Sequence, residues 1–309
     1  MLVVLALVLL LSAIAIAVLP SAVERQKTSR GADQLQGWLL VAKQWAKRDG
    51  VPTGIRLQPG MTLPNTATPN SAWITNLEYI QQPDPFDPAG SQIQPGTVAT
   101  QVTAFSSSVD FFGGTGPGNS ALWPVQIGDS LEIFGGGFPH LITGVLPSMS
   151  NPLVSDTLTL ASTPSPFTPT GQYRIIRAPR VLPGELTLQM PKDVAIDTKT
   201  NTTYINPLPS SVNAAGAFDI LFTPSGSVLS LGVTVDKINL WVRDVTQDLA
   251  APADQTLITV YVRSGFIAAH PVDVTPDPLA NPLFKLDPYG SKYFLNPYSF
   301  TQDGRSSGL

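Results

Sequence analysis

The chain has 309 residues, a formal net charge of −4, two histidines and no cysteine. The missing cysteines exclude a disulfide framework and a thiolate metal site, and the acidic balance offers no basic face to nucleic acid. Thirty prolines and 25 glycines stand beside a charged content of 13%, well under the usual ~25%; this calls for many turns, short strands and a weakly charged surface suited to packing against other subunits.

In chain order, the first nineteen residues, Met1 to Leu19, carry no charge and one hydroxyl, at Ser12. As a helix they extend roughly 28 Å, close to the ~30 Å hydrocarbon core of a bilayer, so a membrane span over 1–20 is expected. The rival reading is a cleaved secretory signal, with Ala13-Ile14-Ala15 or Ala15-Ile16-Ala17 as the cleavage site. Against it, no Lys or Arg precedes the run, which is also longer than the usual apolar region of a signal peptide. Arg25, Lys27 and Arg30 follow the span, where the positive-inside rule would place them in the cytoplasm. A basic leader preceding Met1 would relieve that conflict. Pro20 removes one helical hydrogen bond and crowds the preceding turn, so a kink between Ile16 and Pro20 is expected.

Leu35, Trp38, Leu39, Ala42, Trp45 and Ala46 recur at i, i+3, i+4 and i+7, which makes one apolar stripe on a helix. Trp38 and Trp45 are expected to anchor that helix on a head rather than bind a ligand. Lys43, Lys47 and Arg48 suit the negative end of the helix dipole. Gly50 and then Pro52 end it near Asp49.

The run Met1-Leu2-Val3-Val4-Leu5-Ala6-Leu7-Val8 resembles the continuation of the prepilin-type methylation motif, Gly-Phe-Thr-Leu-Ile-Glu followed by an apolar helix. That resemblance implies a leader and five mature residues ahead of Met1, cleavage after the motif glycine, methylation of the new terminus, and a glutamate that neutralises a neighbour's amine during assembly. Val18-Leu19-Pro20 is similar to the proline-punctuated helix of pilin-like proteins. The segment from Ala32 to Leu57, with Arg48-Asp49-Gly50-Val51-Pro52 leading into Ile55-Arg56-Leu57, resembles the H-type minor pseudopilins of type II secretion.

Past the helix, Gln58 to Ser71 is a Pro/Asn/Thr-rich loop, Trp73 to Ile80 a strand, and Gln81 to Gly96 a second loop rich in Pro and Asp. Strands are expected at Val98–Phe105, Ser130–Phe134, Leu141–Leu146, Thr157–Ala161 and Tyr173–Arg177, with a glycine turn at Gly135-Gly136-Gly137. Residues 97–180 therefore read as an inserted β-rich subdomain resembling a small barrel, a part without counterpart in an ordinary minor pseudopilin. The run Ala217-Phe218-Asp219-Ile220-Leu221-Phe222-Thr223-Pro224-Ser225-Gly226-Ser227-Val228 is similar to the strand, turn and strand of H-type heads. Ile238, Leu240 and Val242 alternate with Asn239 and Trp241, and Thr256–Arg263 with Ser264-Gly265-Phe266-Ile267 reads as a closing hairpin. The tail over 271–309 is dense in proline, which excludes a central strand, and carries Phe284, Tyr289, Tyr293, Phe294, Tyr298 and Phe300; it is expected to wrap the head or to touch a neighbouring subunit.

Chemistry-bearing patterns are sparse. His140 and His270 have no metal-type spacing, and Gly114-Thr115-Gly116-Pro117-Gly118 misses the dinucleotide fingerprint. Asp84, Asp87 and Asp110 are the candidate oxygen ligands for Ca²⁺, as in some secretion pseudopilins, but without EF-hand spacing they read as turn residues. No cofactor is expected. Asn201-Thr202-Thr203 is a formal glycosylation sequon.

The expected fold is α+β: a long N-terminal transmembrane and amphipathic helix (1–50, span 1–20) packed on an antiparallel β-rich head. The head comprises a first strand with Pro-rich loops (51–96), the insertion (97–180), a pilin-like sheet (181–270) and the tail. The expected function is a non-enzymatic pilin-like subunit of a type II secretion pseudopilus or type IV pilus. It would be held in the bacterial inner membrane by a single pass with a periplasmic head, then assembled into a periplasmic or cell-surface filament. Leu2, Val3, Val4, Leu5, Leu7, Val8, Leu9, Leu10 and Leu11 would form the span and the filament bundle, Pro20 the kink, and Leu35, Trp38, Leu39, Ala42 and Trp45 the helix-to-head contact. The partners implied are other pilin or pseudopilin subunits, a prepilin peptidase, the inner-membrane assembly platform and the lipid bilayer, with no nucleic acid. The alternatives are a membrane-anchored binding module gripping carbohydrate or an envelope protein, and an anchored hydrolase with two carboxylates brought together from distant loops.

Overall fold

The computed structural model describes residues 2–62, 69–88, 91–105, 109–118, 120–134, 138–148, 150–164, 171–197, 217–229, 236–246, 255–273 and 298–302, and of these the side chains of 2–25, 59–62, 69–72 and 121 fall outside the description. The chain divides into two compact units, residues 1–80 with 181–309, and residues 81–180. Sixteen strands stand against two α-helices among the described residues, so the protein is mostly β.

That result corrects the expected α+β class and the location drawn from it. Helix α1 (Leu2–Asp49) runs through Pro20 as one continuous helix. Yet among the described residues no helix is long and apolar enough to cross a membrane, and the single-pass inner-membrane placement with a periplasmic head is not supported. The physical reason lies in the described part of α1, which is amphipathic. Between Gln26 and Asp49 it carries Lys27, Arg30, Asp33, Lys43, Lys47, Arg48 and Asp49 and buries one stripe on a sheet. The side chains of Leu2, Val3, Val4, Leu5, Leu7, Val8, Leu9, Leu10, Leu11 and Pro20 lie outside the described residues.

The first unit is built on a sheet of β1 (Thr53–Thr62), β2 (Pro69–Gln81), β9 (Arg180–Val181), β10 (Leu188–Gln189), β11 (Val194–Asp197), β12 (Phe218–Phe222), β13 (Val228–Leu229), β14 (Lys237–Asp244), β15 (Thr256–Tyr261) and β16 (Phe266–Pro271). Its order is β13-β12-β1-β2-β11-β14-β15-β16, with β9 and β10 pairing with β2 off this path. The pairs β1–β12, β11–β14, β14–β15 and β15–β16 are all antiparallel. Because side chains alternate between faces, Ile55, Leu57, Ile220, Phe222, Ile238, Leu240, Val242, Ile258 and Val260 point to one side. There they join Ala32, Leu35, Leu39, Ala42 and Ala46 of α1 in a single core. A helix of this composition gains most of its stability from such packing.

The other sheet face is buried too, and polar. Arg243 pairs with Asp197, both only a few per cent exposed, and its guanidinium lies 4.2 Å from the centroid of Trp73. Thr259 donates a 2.9 Å hydrogen bond to Asn239. Trp241, Leu257, Val272 and Tyr298 form a separate buried cluster beside the short helix α2 (Ser299–Gln302). Tyr298 thus brings the C-terminal tail onto the sheet; Phe284, Tyr289, Tyr293 and Phe294 lie outside the described residues.

The second unit is a closed barrel in the order β3-β4-β7-β6-β5-β8. Its strands are β3 (Gln92–Pro95), β4 (Gln101–Ala104), β5 (Ser130–Ile133), β6 (His140–Pro147), β7 (Ser155–Leu160) and β8 (Gly171–Ile176). Ile93, Val102, Leu131, Ile142, Leu158, Tyr173 and Ile175 fill it with Phe111 and Phe112. The unit begins at Gln81, earlier than the expected 97, because β3 closes the barrel between β4 and β8. β3 was hidden inside a stretch read as a loop, since it is four residues long and ends in proline.

Candidate functional site

Two features bear on function: the packing of α1, and a trough on the outside of the barrel. On α1, Leu35, Leu39 and Ala42 are fully buried, while Trp38 and Trp45 pack half-buried against the same core. Trp45 also meets Tyr79, with ring centroids 4.6 Å apart. At the helix end Lys43 Nζ donates to the carbonyl of Gly265 at 2.7 Å and to that of Ser264 at 3.3 Å, so the β15–β16 turn satisfies a cation of the last turn. Burial, then the charge of Lys47, holds the Lys43 ammonium below its ordinary pKa.

Of the candidate ligands Asp84, Asp87 and Asp110, the last commits its carboxylate to the backbone. Asp110 accepts from the amides of Phe112, Gly114 and Ser155 at 2.7–2.9 Å. Asp129, 1% exposed, accepts from the amides of Gln126 and Ala178 and from Arg180. Burial outweighs the nearby Asp129 charge and lowers the Arg180 pKa. Asp84, Asp87 and Asp110 do not gather: among the described residues no group of three or more His, Cys, Asp or Glu side chains is placed to hold a metal ion. His140 Nδ1 lies 2.9 Å from Ser162 Oγ, and His270, 2% exposed, sits in the sheet of the first unit.

The trough has a volume of about 640 Å³, within the range of about 300–1,000 Å³ typical of ligand clefts. Its floor follows from strand register. Gln94 stands opposite Thr103, Thr103 opposite Thr157, and Thr157 opposite Leu146. This is one row across β3, β4, β7 and β6, pointing outward because the neighbouring residues Ile93, Val102, Leu158 and Val145 point into the barrel core. The β3–β4 turn, with Pro95, Gly96, Thr97, Val98 and Gln101, makes one wall, and Pro147, Ser148 and Ser150 make the other. Asp156 is the sole ionisable residue in the lining, and its Oδ1 accepts from Thr157 at 2.8 Å.

None of the trough residues was singled out from the sequence. Thr and Gln at alternate strand positions are the ordinary outside of a sheet, and only the closed register gathers Gln94, Thr103 and Thr157 into one row with Leu146. Comparison with family models, curated proteins and solved structures finds no match for this chain.

Proposed function

We propose that this chain is a non-enzymatic, pilin-like filament subunit whose N-terminal helix packs against the same helix of neighbouring subunits and whose barrel serves as a binding module. One observation carries the reading. α1 has 48 residues, about 72 Å at 1.5 Å per residue, whereas its described buried residues run from Thr28 to Ala46, about 27 Å of that length. The stretch from Leu2 to Leu19 is apolar on every side in sequence, and such a helix requires apolar neighbours. Supply by copies of itself fits the resemblance to prepilin-type proteins. The non-catalytic reading rests on the use of the buried carboxylates of Asp129, Asp197 and Asp219 and of the half-buried Asp110, each engaged with backbone amides or arginines.

The test is Leu7→Arg. A charge in the helix bundle should abolish assembly, measured by sedimentation and negative-stain microscopy of material from the native cells, while the thermal transition of the head stays where it was. Normal incorporation of the variant into filaments would sink the reading.

A further inference from the structure

We infer that the trough on the barrel is a binding site for a neutral oligosaccharide; this rests on the reading of the barrel as a binding module and names its ligand class.

The chemistry of the lining selects the class. The floor row of Gln94, Thr103, Thr157 and Leu146 crosses four adjacent strands, about 14 Å at the usual interstrand spacing, long enough for several linked sugar rings. Its polar groups are amides, hydroxyls and one carboxylate. The amides and hydroxyls donate and accept alike, as sugar hydroxyls do, and Asp156 supplies an acceptor that can be shared by neighbouring hydroxyls. Several of these groups are already oriented: Thr97 Oγ1 lies 3.3 Å from Gln101 Oε1, Thr103 Oγ1 3.3 Å from Thr157 Oγ1, and Ser148 Oγ 3.0 Å from Ser150 Oγ. The first of these bonds fixes the Gln101 amide with its NH₂ directed away from Thr97. Val98, 52% exposed, and Leu146, 37% exposed, add apolar surface for the C–H faces of a ring.

Other ligand classes fit worse. No Lys, Arg or His lines the trough, so a polyanion would meet one carboxylate and no counter-charge. A peptide added as a strand needs an open sheet edge, and every strand of this barrel is bonded on both sides.

The experiment uses the full chain and isothermal titration with cellotetraose, maltotetraose, xylotetraose and chitotetraose, with tetragalacturonate and tetra-alanine as the charged and peptide comparisons. The expected result is saturable binding of at least one neutral tetrasaccharide, weakened tenfold or more by Gln101→Ala and by Asp156→Ala and unchanged by Ser225→Ala, which lies in the other unit. Gln101→Ala alters a half-exposed side chain beside a turn, so it carries the test if Asp156→Ala lowers the thermal transition. Failure of all four neutral sugars to saturate, stronger binding of the acidic sugar or the peptide, or indifference to both substitutions would each overturn the proposal. Assembly is measured on the same preparations: loss of sugar binding with Leu7→Arg still blocking filaments rejects the ligand and keeps the subunit, whereas sugar binding with assembly indifferent to Leu7→Arg rejects the subunit and keeps the ligand.

Discussion

Arg56 and Asp219 stand directly opposite each other on β1 and β12, and two hydrogen bonds of 2.8 and 2.7 Å join the guanidinium to both oxygens of the carboxylate. The Asp219 side chain is fully buried and that of Arg56 mostly so. The hydrogen bond to Asp219 raises the arginine pKa against the opposing effect of burial. Removing one member of such a pair strands the other in a poorly solvated place, at a cost of about 3–5 kcal/mol. Asp219→Ala should therefore lower the stability of the first unit by about 3 kcal/mol in urea denaturation. The Arg56→Ala/Asp219→Ala double variant should lose clearly less than the sum of the two single losses. Simple additivity would mean that the pair contributes nothing beyond its separate contacts.

Gly265 and Gly226 belong to two turns that meet at the end of α1. Gly265 has φ +58°, and a Cβ on it would fall 1.8 Å from the Gly226 carbonyl oxygen, well inside van der Waals contact. Gly265→Ala must strain the backbone or push the turns apart, and either route should cost about 1–3 kcal/mol. Loss of the Lys43 hydrogen bond to the Gly265 carbonyl should accompany it. A midpoint in thermal denaturation equal to that of the parent would show that the turn relaxes freely.

Three buried tyrosines set the response to alkali. Burial raises the pKa values of Tyr79, Tyr173 and Tyr298 above their ordinary value of about 10, with nearby acidic charge adding to the effect in each. A phenol whose folded pKa lies above its unfolded one stabilises the fold fully below the unfolded value, and that contribution is lost as pH rises from there through the folded pKa. Stability should thus hold up to about pH 10 and fall steadily above it. Tyr298→Phe removes one of these groups and should shallow the fall. A denaturation midpoint flat from pH 9 to 12 would contradict the burial of these side chains.

The apolar stripe Leu35, Leu39, Ala42 and Ala46 was legible because helical periodicity reports directly on which face is buried, and the alternation of Ile238, Leu240 and Val242 told the same for β14. The inserted barrel showed through its glycine turns, but its first strand did not. β3 has one fully buried residue, Ile93, and a terminal proline, too little to rise above the surrounding loop. The polar sheet face was invisible for a different reason. Asp197, Arg243, Asn239 and Thr259 look like solvent-facing residues of an amphipathic sheet, and their burial depends on tertiary contacts, such as the stacking of Arg243 on Trp73, that no local pattern encodes. The membrane span was over-read from hydropathy alone. The length of an apolar run says nothing about where a continuous helix with a charged, amphipathic second half places it.

Asp110 separates a calcium ligand from a turn organiser. Its carboxylate accepts three backbone N–H groups, two of them at Phe112 and Gly114 within the turn that follows and one at Ser155 on β7. Gly113 and Gly114 both sit at positive φ; the Gly113 amide donates to the Asp110 carbonyl and the Gly114 amide to its carboxylate, so Asp110 holds the turn from both its backbone and its side chain. An unpaired buried donor costs about 1–3 kcal/mol, so Asp110→Ala should destabilise the barrel by about 2–4 kcal/mol, while Asp110→Asn, which keeps one oxygen, should lose roughly half as much. If the carboxylate is committed to the backbone, the parent's thermal midpoint should be the same in excess EDTA and in millimolar CaCl₂. A rise with calcium that disappears in Asp110→Ala would instead make Asp110 a metal ligand and the turn its scaffold.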